Sequence, residues 1–277
     1  MEVKLADNYG FCFGVKRAIE IAEKYKNSAT MGPLIHNSDE INRLKDNFNV
    51  KLYRDINEVE EGDTLIIRTH GIPKNDLKSV KKKTAKVINA TCPFVTTPQQ
   101  IVKKMSAEDY EILIFGDKTH PEVMGVRSYA KNPENVHVVL NLEEAKALNL
   151  TNTKIATVAQ TTKKKEMYLE IVNYLTLINK EVRIFNTICD ATFENQDAAR
   201  KLSKEVDVMV IIGGKSSSNT KQLQTIALEN CKDAYLIENK NDLQDSWFKD
   251  KKLCGITAGA STPDWIIKEV IEQIKSV

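Results

Sequence analysis

The chain carries almost no net charge: 40 Lys+Arg against 38 Asp+Glu leave +2 over 277 residues. No global field is available to recruit nucleic acid or an anionic membrane surface, so any basic site must be local. No run approaches the roughly 18 apolar residues of a membrane span, and Met1 to Leu5 is not the apolar stretch of a signal peptide. A cytoplasmic protein with neither a nucleic-acid nor a membrane partner is therefore expected. Low-complexity segments and long linkers are absent, as is the G-x-G-x-x-G fingerprint of a dinucleotide or flavin site. The run Gly213-Gly214-Lys215-Ser216 is not a Walker loop, because Met209 stands where its first glycine is required. Cysteine is sparse. Five residues, an odd number without a secretion signal, argue against a disulfide framework and for metal ligation or catalysis in a reducing compartment.

What is present is a globular composition, 42% hydrophobic and 28% charged, sufficient for one large core or two to three small ones. Short apolar or β-branched runs alternate with charged segments of helical period from end to end. That is the pattern of α/β layers with parallel strands. Strands are expected at 64–68, 86–90, 111–115, 136–140, 154–158, 207–212 and 252–256. Helices fill the gaps, most clearly at 14–26, 163–179, 192–206, 219–231 and 262–277, several opened by Ser, Thr or Asn. Lys81-Lys82-Lys83 and Lys163-Lys164-Lys165 read as solvated helix ends or starts.

Three of the cysteines share a context. Cys12, Cys92 and Cys189 each stand at the end of a strand-like run inside a Gly, Thr or Pro-marked turn, separated by 92 − 12 = 80 and 189 − 92 = 97 residues. Near-equal spacing suggests three small α/β subdomains, 14–92, 93–185 and 186–277 with the N-terminal strand 1–13 joined to the third, each delivering one thiolate to a common centre. Three thiolates at one point call for a metal. Structural zinc usually draws on close C-x-x-C pairs, so an iron-sulfur cluster is favoured; with three thiolates a cubane keeps one iron open. Cys231, at a helix end, and Cys254, within a strand, fit the ordinary role of a buried apolar thiol.

Of four histidines, His36, His70 and His120 lie in turns and His137 in a strand. A lone turn histidine is more often a cap or a surface residue; three recurring after strands are suited to donate to an anion. Gly213 to Thr220 offers a hydroxyl-rich helix start, and Gly259-Ala260-Ser261-Thr262-Pro263-Asp264 repeats it at the last helix. Either alone is ordinary capping. Both, with three histidines, suggest a diphosphate. Glu122 is the obvious proton donor, and Gln160-Thr161-Thr162 or Thr192 offers hydroxyls able to relay a proton.

With these pieces assembled the chain resembles the 4-hydroxy-3-methylbut-2-enyl diphosphate reductases, iron-sulfur enzymes of the non-mevalonate isoprenoid pathway. The likeness rests on Gly10-Phe11-Cys12-Phe13-Gly14-Val15, Gly32-Pro33-Leu34-Ile35-His36-Asn37, His70-Gly71, Ala90-Thr91-Cys92-Pro93, His120-Pro121-Glu122-Val123, Gln160-Thr161-Thr162, Ile188-Cys189-Asp190-Ala191-Thr192, Ser217-Ser218-Asn219 and Thr257 to Pro263, and so covers nearly the whole chain. It departs at Thr97-Pro98-Gln99, where basic residues are common in the family, and at Asn195, where Arg often stands. The resemblance implies a trefoil of three α/β subdomains around a 4Fe-4S cluster held by Cys12, Cys92 and Cys189. It also implies a diphosphate held by His36, His70, His120, Ser217, Ser218, Asn219 and Ser261, with Glu122, Thr161 and His120 at the chemistry. The implied reaction is a two-electron reductive dehydroxylation of the allylic diphosphate to isopentenyl and dimethylallyl diphosphate, its hydroxyl bound at the open iron. Ferredoxin or flavodoxin would supply the electrons to a monomeric protein.

Overall fold

The computed structural model describes residues 1–84 and 86–276, so the expected helix end at Val277 lies outside the described residues. The chain opens with β1 (Glu2–Leu5), α1 (Phe13–Lys24), β2 (Ala29–Met31), α2 (Ser38–Phe48), β3 (Lys51–Tyr53), β4 (Thr64–Ile67), α3 (Lys74–Lys83) and β5 (Lys86–Asn89). It continues through α4 (Pro93–Ala107), β6 (Glu111–Phe115), α5 (Pro121–Arg127), β7 (Val136–Val139), α6 (Leu142–Ala147), β8 (Lys154–Ala159), α7 (Lys165–Ile178) and β9 (Glu181–Ile184). The last elements are α8 (Asp190–Leu202), β10 (Val208–Ile212), α9 (Ser218–Leu228), β11 (Ala234–Ile237), β12 (Leu253–Ala258) and α10 (Asp264–Ser276).

As expected, the strands form three α/β sheets, each of four strands paired in parallel. Written from one edge, their orders are β1-β12-β10-β11, β5-β4-β2-β3 and β9-β8-β6-β7. The second and third sheets repeat one topology. In the first, β10, β11 and β12 take the places of the first three strands, and β1 supplies the fourth by pairing with β12. Contacts divide the chain into two compact units: Met1–Lys16 with Ile35–Leu44 and Asp190–Val277, and Arg17–Leu34 with Lys45–Cys189.

The cores follow from strand periodicity. In β10 every side chain is buried: Val208, Val210 and Ile212 pack with Ile266, Ile267, Val270 and Ile274 of α10, while Met209 and Ile211 face Ala198, Ala199 and Leu202 of α8 and Leu223 of α9. Alternate residues point to opposite faces, so a strand covered on both sides must be apolar throughout. In β6, Ile112 and Ile114 meet Val102 and Met105 of α4, whereas Leu113 and Phe115 meet Tyr168, Ile171 and Leu175 of α7. Each such burial contributes about 1.5–3 kcal/mol. The three-residue β2 and β3 had no expected strand at their positions because so short a run shows too little periodicity, and β9 and β11 were not expected either.

Candidate functional site

The sheet orders give the candidate residues a common address. Cys12 follows β1, Cys92 follows β5 and Cys189 follows β9, the same edge strand in all three sheets. One strand inward, Ser261 follows β12, His70 follows β4 and Thr161 follows β8. One further, the turns after β10, β2 and β6 lead to Ser217, His36 and His120. In each sheet the candidates therefore lie past the carboxyl ends of the strands, where α/β sheets place their ligands. The remaining edge strands β11, β3 and β7 carry none.

In the first unit, Gly10 turns at φ +75°, and the Cys12 N–H donates to the Ala260 carbonyl at 3.2 Å, the residue before Ser261. The Cys12 carbonyl accepts the Lys16 N–H at 2.9 Å, which starts α1 immediately behind the thiol. Ser217 caps α9, its hydroxyl oxygen accepting the Thr220 N–H at 3.3 Å, so its own proton can still be donated to an anion. Asn219 is 4% exposed, and neither end of its buried carboxamide has a hydrogen-bond partner. Such a group costs about 1–3 kcal/mol unless something bonds it.

The segment 35–44 belongs to this same unit. The Ser261 hydroxyl donates to the His36 carbonyl at 3.2 Å, and the Thr262 hydroxyl donates to the Ile212 carbonyl at 3.0 Å. These bonds differ from the helix cap expected of that pair: the two hydroxyls tie strand-end turns together instead. Gly214 is a close-approach position, since a Cβ there would lie 2.2 Å from the His36 carbonyl oxygen.

In the second unit, Cys92 is the N-cap residue of α4, and its N–H donates to the Thr69 carbonyl at 3.0 Å. Thr69 is pinned by its N–H and hydroxyl to the Leu34 carbonyl, at 3.2 and 2.9 Å, which fixes the His70 turn. His120 caps α5 through Nδ1, which accepts the Glu122 N–H at 3.2 Å; a neutral ring then carries its proton on Nε2. The His70 and His120 rings meet edge to face, centroids 5.5 Å apart.

Glu122 is 2% exposed. Its Oε1 accepts the Thr161 N–H and its Oε2 pairs with the Thr161 hydroxyl, both at 2.7 Å, while the Thr161 carbonyl accepts the Cys189 N–H at 3.0 Å. One threonine thus connects the buried carboxyl to a cysteine. Burial raises the Glu122 pKa above the ordinary carboxylate value, opposed by the Thr161 hydrogen bonds and by the charge of Lys163.

Lys163 corrects the reading of its triplet as solvated. It is partly buried, burial lowers its pKa, and Asp117 and Glu122 attract its charge. Gln160 fixes this turn: its Oε1 accepts the Asp117 N–H at 3.0 Å and its Nε2 donates to the Thr162 hydroxyl at 3.2 Å. Neither role was legible beforehand, because both come from the adjoining β6–α5 turn. His137 pairs with Glu111 at 2.8 Å within the third sheet. Cys231 and Cys254 are buried as expected, and burial pushes the Cys254 thiol up to about 12.

A family model described as LytB protein matches residues 3–275. The chain belongs to the LytB family. Proteins named 4-hydroxy-3-methylbut-2-enyl diphosphate reductase are similar to this LytB chain over its whole length. That of a Nitratiruptor species is 62% identical, with 100% of this chain and 99% of the relative covered. That of a Sulfurovum species is 58% identical with 100% of both covered. Among solved structures, (E)-4-hydroxy-3-methyl-but-2-enyl diphosphate reductase, titled the terminal enzyme of the non-mevalonate pathway, aligns at TM-score 0.71 and 43% identity over 100% of this chain and 99% of that one. The Plasmodium falciparum E-1-hydroxy-2-methyl-but-2-enyl-4-diphosphate reductase aligns at TM-score 0.91 and 30% identity, over 98% and 87%. With such relatives along its full length, this LytB chain is a reductase enzyme.

Proposed function

We propose that the chain catalyses the two-electron reductive dehydroxylation of (E)-4-hydroxy-3-methylbut-2-enyl diphosphate, yielding isopentenyl and dimethylallyl diphosphate. The observation that carries this reading is the Glu122–Thr161–Cys189 connection: a buried carboxyl of raised pKa, bonded to a hydroxyl and one residue removed from a cysteine. Overall, the substrate takes up two electrons and two protons and releases water.

Cys12, Cys92 and Cys189 are the proposed ligands of a 4Fe-4S cluster. The donor set fits. Each opens a helix, whose positive end favours the thiolate, and each is only partly buried, unlike the neutral core thiols Cys231 and Cys254. When bound, the cluster supplies electron transfer and, at its one iron without a protein thiolate, a Lewis-acidic position for the substrate hydroxyl. The electrons come from a ferredoxin or flavodoxin.

The chain's own residues hold the anion and deliver the proton. His36, His70, His120, Ser217 and Ser218 donate to the diphosphate, Ser261 joins them when its hydroxyl turns from the His36 carbonyl to the anion, and Asn219 contributes its unpaired amide. Glu122, its pKa raised by burial, passes its proton when protonated from Oε2 to Thr161 Oγ1, and the threonine's own proton goes to the departing oxygen. A protonated carboxyl is the donor in its bond to Thr161, so the same 2.7 Å contact serves before and after transfer. We assign the working form to a cytoplasmic monomer whose three subdomains span 14–92, 93–185 and 186–277 with 1–13.

Turnover of the allylic diphosphate is tested with anaerobically purified protein, a one-electron donor and product detection. The expected result is both five-carbon diphosphates formed by protein that contains iron and sulfide. A colourless, zinc-containing protein without turnover would exclude this function.

A further inference from the structure

Beside the His70 turn, the second unit holds a half-open cavity of about 240 Å³ that the proposed reaction does not use. Part of its wall is apolar, formed by Ile67, Ile72, Leu77 and Val87. The rest is polar: the Thr96 hydroxyl donates to the Cys92 carbonyl and the Asn89 side-chain oxygen accepts the Thr91 N–H, whereas other groups are unbonded by protein among the described residues. Gln99, two turns along α4 from Cys92, lines it while only 4% exposed, and no hydrogen bond from protein reaches its carboxamide among the described residues. The hydroxyls of Thr91 and Tyr129 share that condition. Burial also raises the Tyr129 pKa, which keeps its O–H a donor.

Charge adds a direction. The exposed Lys81 lines the cavity and has no ion-pair partner among the described residues. An adjoining open groove shares Asn89, Thr91, Thr96 and Gln100 with the cavity and adds Arg17, whose guanidinium is held by the Thr91 and Asn89 carbonyls at 3.4 and 3.2 Å. No Asp or Glu lines either space. Water can satisfy an amide and two hydroxyls, but it gains nothing against four aliphatic side chains. A molecule with an apolar part and an anionic end satisfies both walls.

We propose that this cavity is an accessory binding site for a small organic anion, a short branched chain ending in a carboxylate or phosphate. The chain packs on Ile67, Ile72, Leu77 and Val87, the oxyanion takes the Lys81 ammonium, and Gln99, Thr91 and Tyr129 hydrogen-bond the ligand. The space suits roughly eight non-hydrogen atoms, as the share of one liquid water is about 30 Å³. Occupancy also reaches the His70 turn. Gly71 sits at φ +72°, and a Cβ there would lie 2.8 Å from Gln99 Nε2, so the amide abuts the backbone next to His70. The site is independent of the reaction assigned above.

The test titrates 3-methylbutyl phosphate and 4-methylpentanoate into the full-length protein, with calorimetry for affinity and NMR of the histidine rings for coupling. Asn219→Ala serves as the background that weakens anion binding at the proposed diphosphate residues. At least one probe is expected to bind with Kd below about 1 mM, equally in wild type and Asn219→Ala, and to shift the His70 ring signal. Lys81→Glu, at an exposed position, should weaken it about tenfold or more, and Tyr129→Phe, which removes one hydroxyl, severalfold. 3-Methylbutanol and inorganic phosphate should each bind at least about tenfold more weakly, and the tighter of the two anions identifies the head group. Absence of binding by both anions at about 10 mM would overturn the proposal. So would unchanged affinity in Lys81→Glu, or inorganic phosphate binding as tightly as its ester.

Discussion

Glu122 and Lys163 act on one another through burial. Taking the carboxyl out of water raises its pKa, and the partly buried ammonium pulls it back down. Glu122→Gln keeps the shape and removes the proton; turnover should fall by a factor of about 100 or more while metal content and substrate affinity persist. Near-normal turnover with intact metal would remove Glu122 from the proton path. The same substitution has a stability signature. A carboxyl whose folded pKa exceeds its unfolded value stabilises the fold below the unfolded pKa, and that contribution is lost as pH rises through the folded pKa. Glu122→Gln should therefore gain Tm relative to wild type at pH 7 and lose that advantage near pH 4, as read by thermal melts across pH. Lys163→Met should raise the Glu122 pKa further and move the alkaline limb of kcat/KM to higher pH. An unmoved limb would mean that the amine does not act on the acid. Asn219 offers a complementary case: Asn219→Ala should weaken substrate binding by about 1–3 kcal/mol yet leave the ligand-free protein no less stable, because its buried amide has no partner to lose.

The turns at the strand ends depend on glycines that leave room for another backbone. At Gly214 a Cβ would sit 2.2 Å from the His36 carbonyl, and a backbone atom cannot rotate away as a side chain does. Gly214→Ala should displace 35–44, lowering Tm and weakening diphosphate binding together, measured by calorimetry on the same samples. Unchanged affinity would show that His36 does not depend on this contact. Strands such as β6 and β10 were legible as apolar runs because both faces are covered, whereas three-residue β2 and β3 were not. Helix starts were legible where Ser or Asn caps them, as at Ser217, and misread at Ser261-Thr262, whose hydroxyls bond the carbonyls of His36 and Ile212.

Across the whole molecule the cysteines divide by position in the sheets. Those after β1, β5 and β9 stand at helix starts; those in the core are held neutral. Cys12→Ser, Cys92→Ser or Cys189→Ser should lower bound iron and abolish turnover. Cys254→Ser should keep iron while costing about 1–3 kcal/mol of stability, the penalty of a hydroxyl in an apolar site. Iron loss in Cys254→Ser equal to that in Cys12→Ser would break the assignment. By itself the sequence determined the α/β class, the three cysteine corners and the residues of each turn, because hydrophobic period and turn chemistry act over a few neighbours. The N-terminal strand was expected to join the third segment, and β1 pairs with β12. Tertiary structure alone decided that 35–44 packs with the C-terminal third, and that Thr161 holds Glu122 on one side and Cys189 on the other. Those pairings join residues tens to hundreds of positions apart. They depend on which buried polar groups can satisfy one another once the sheets have formed, and no local pattern in the chain encodes that.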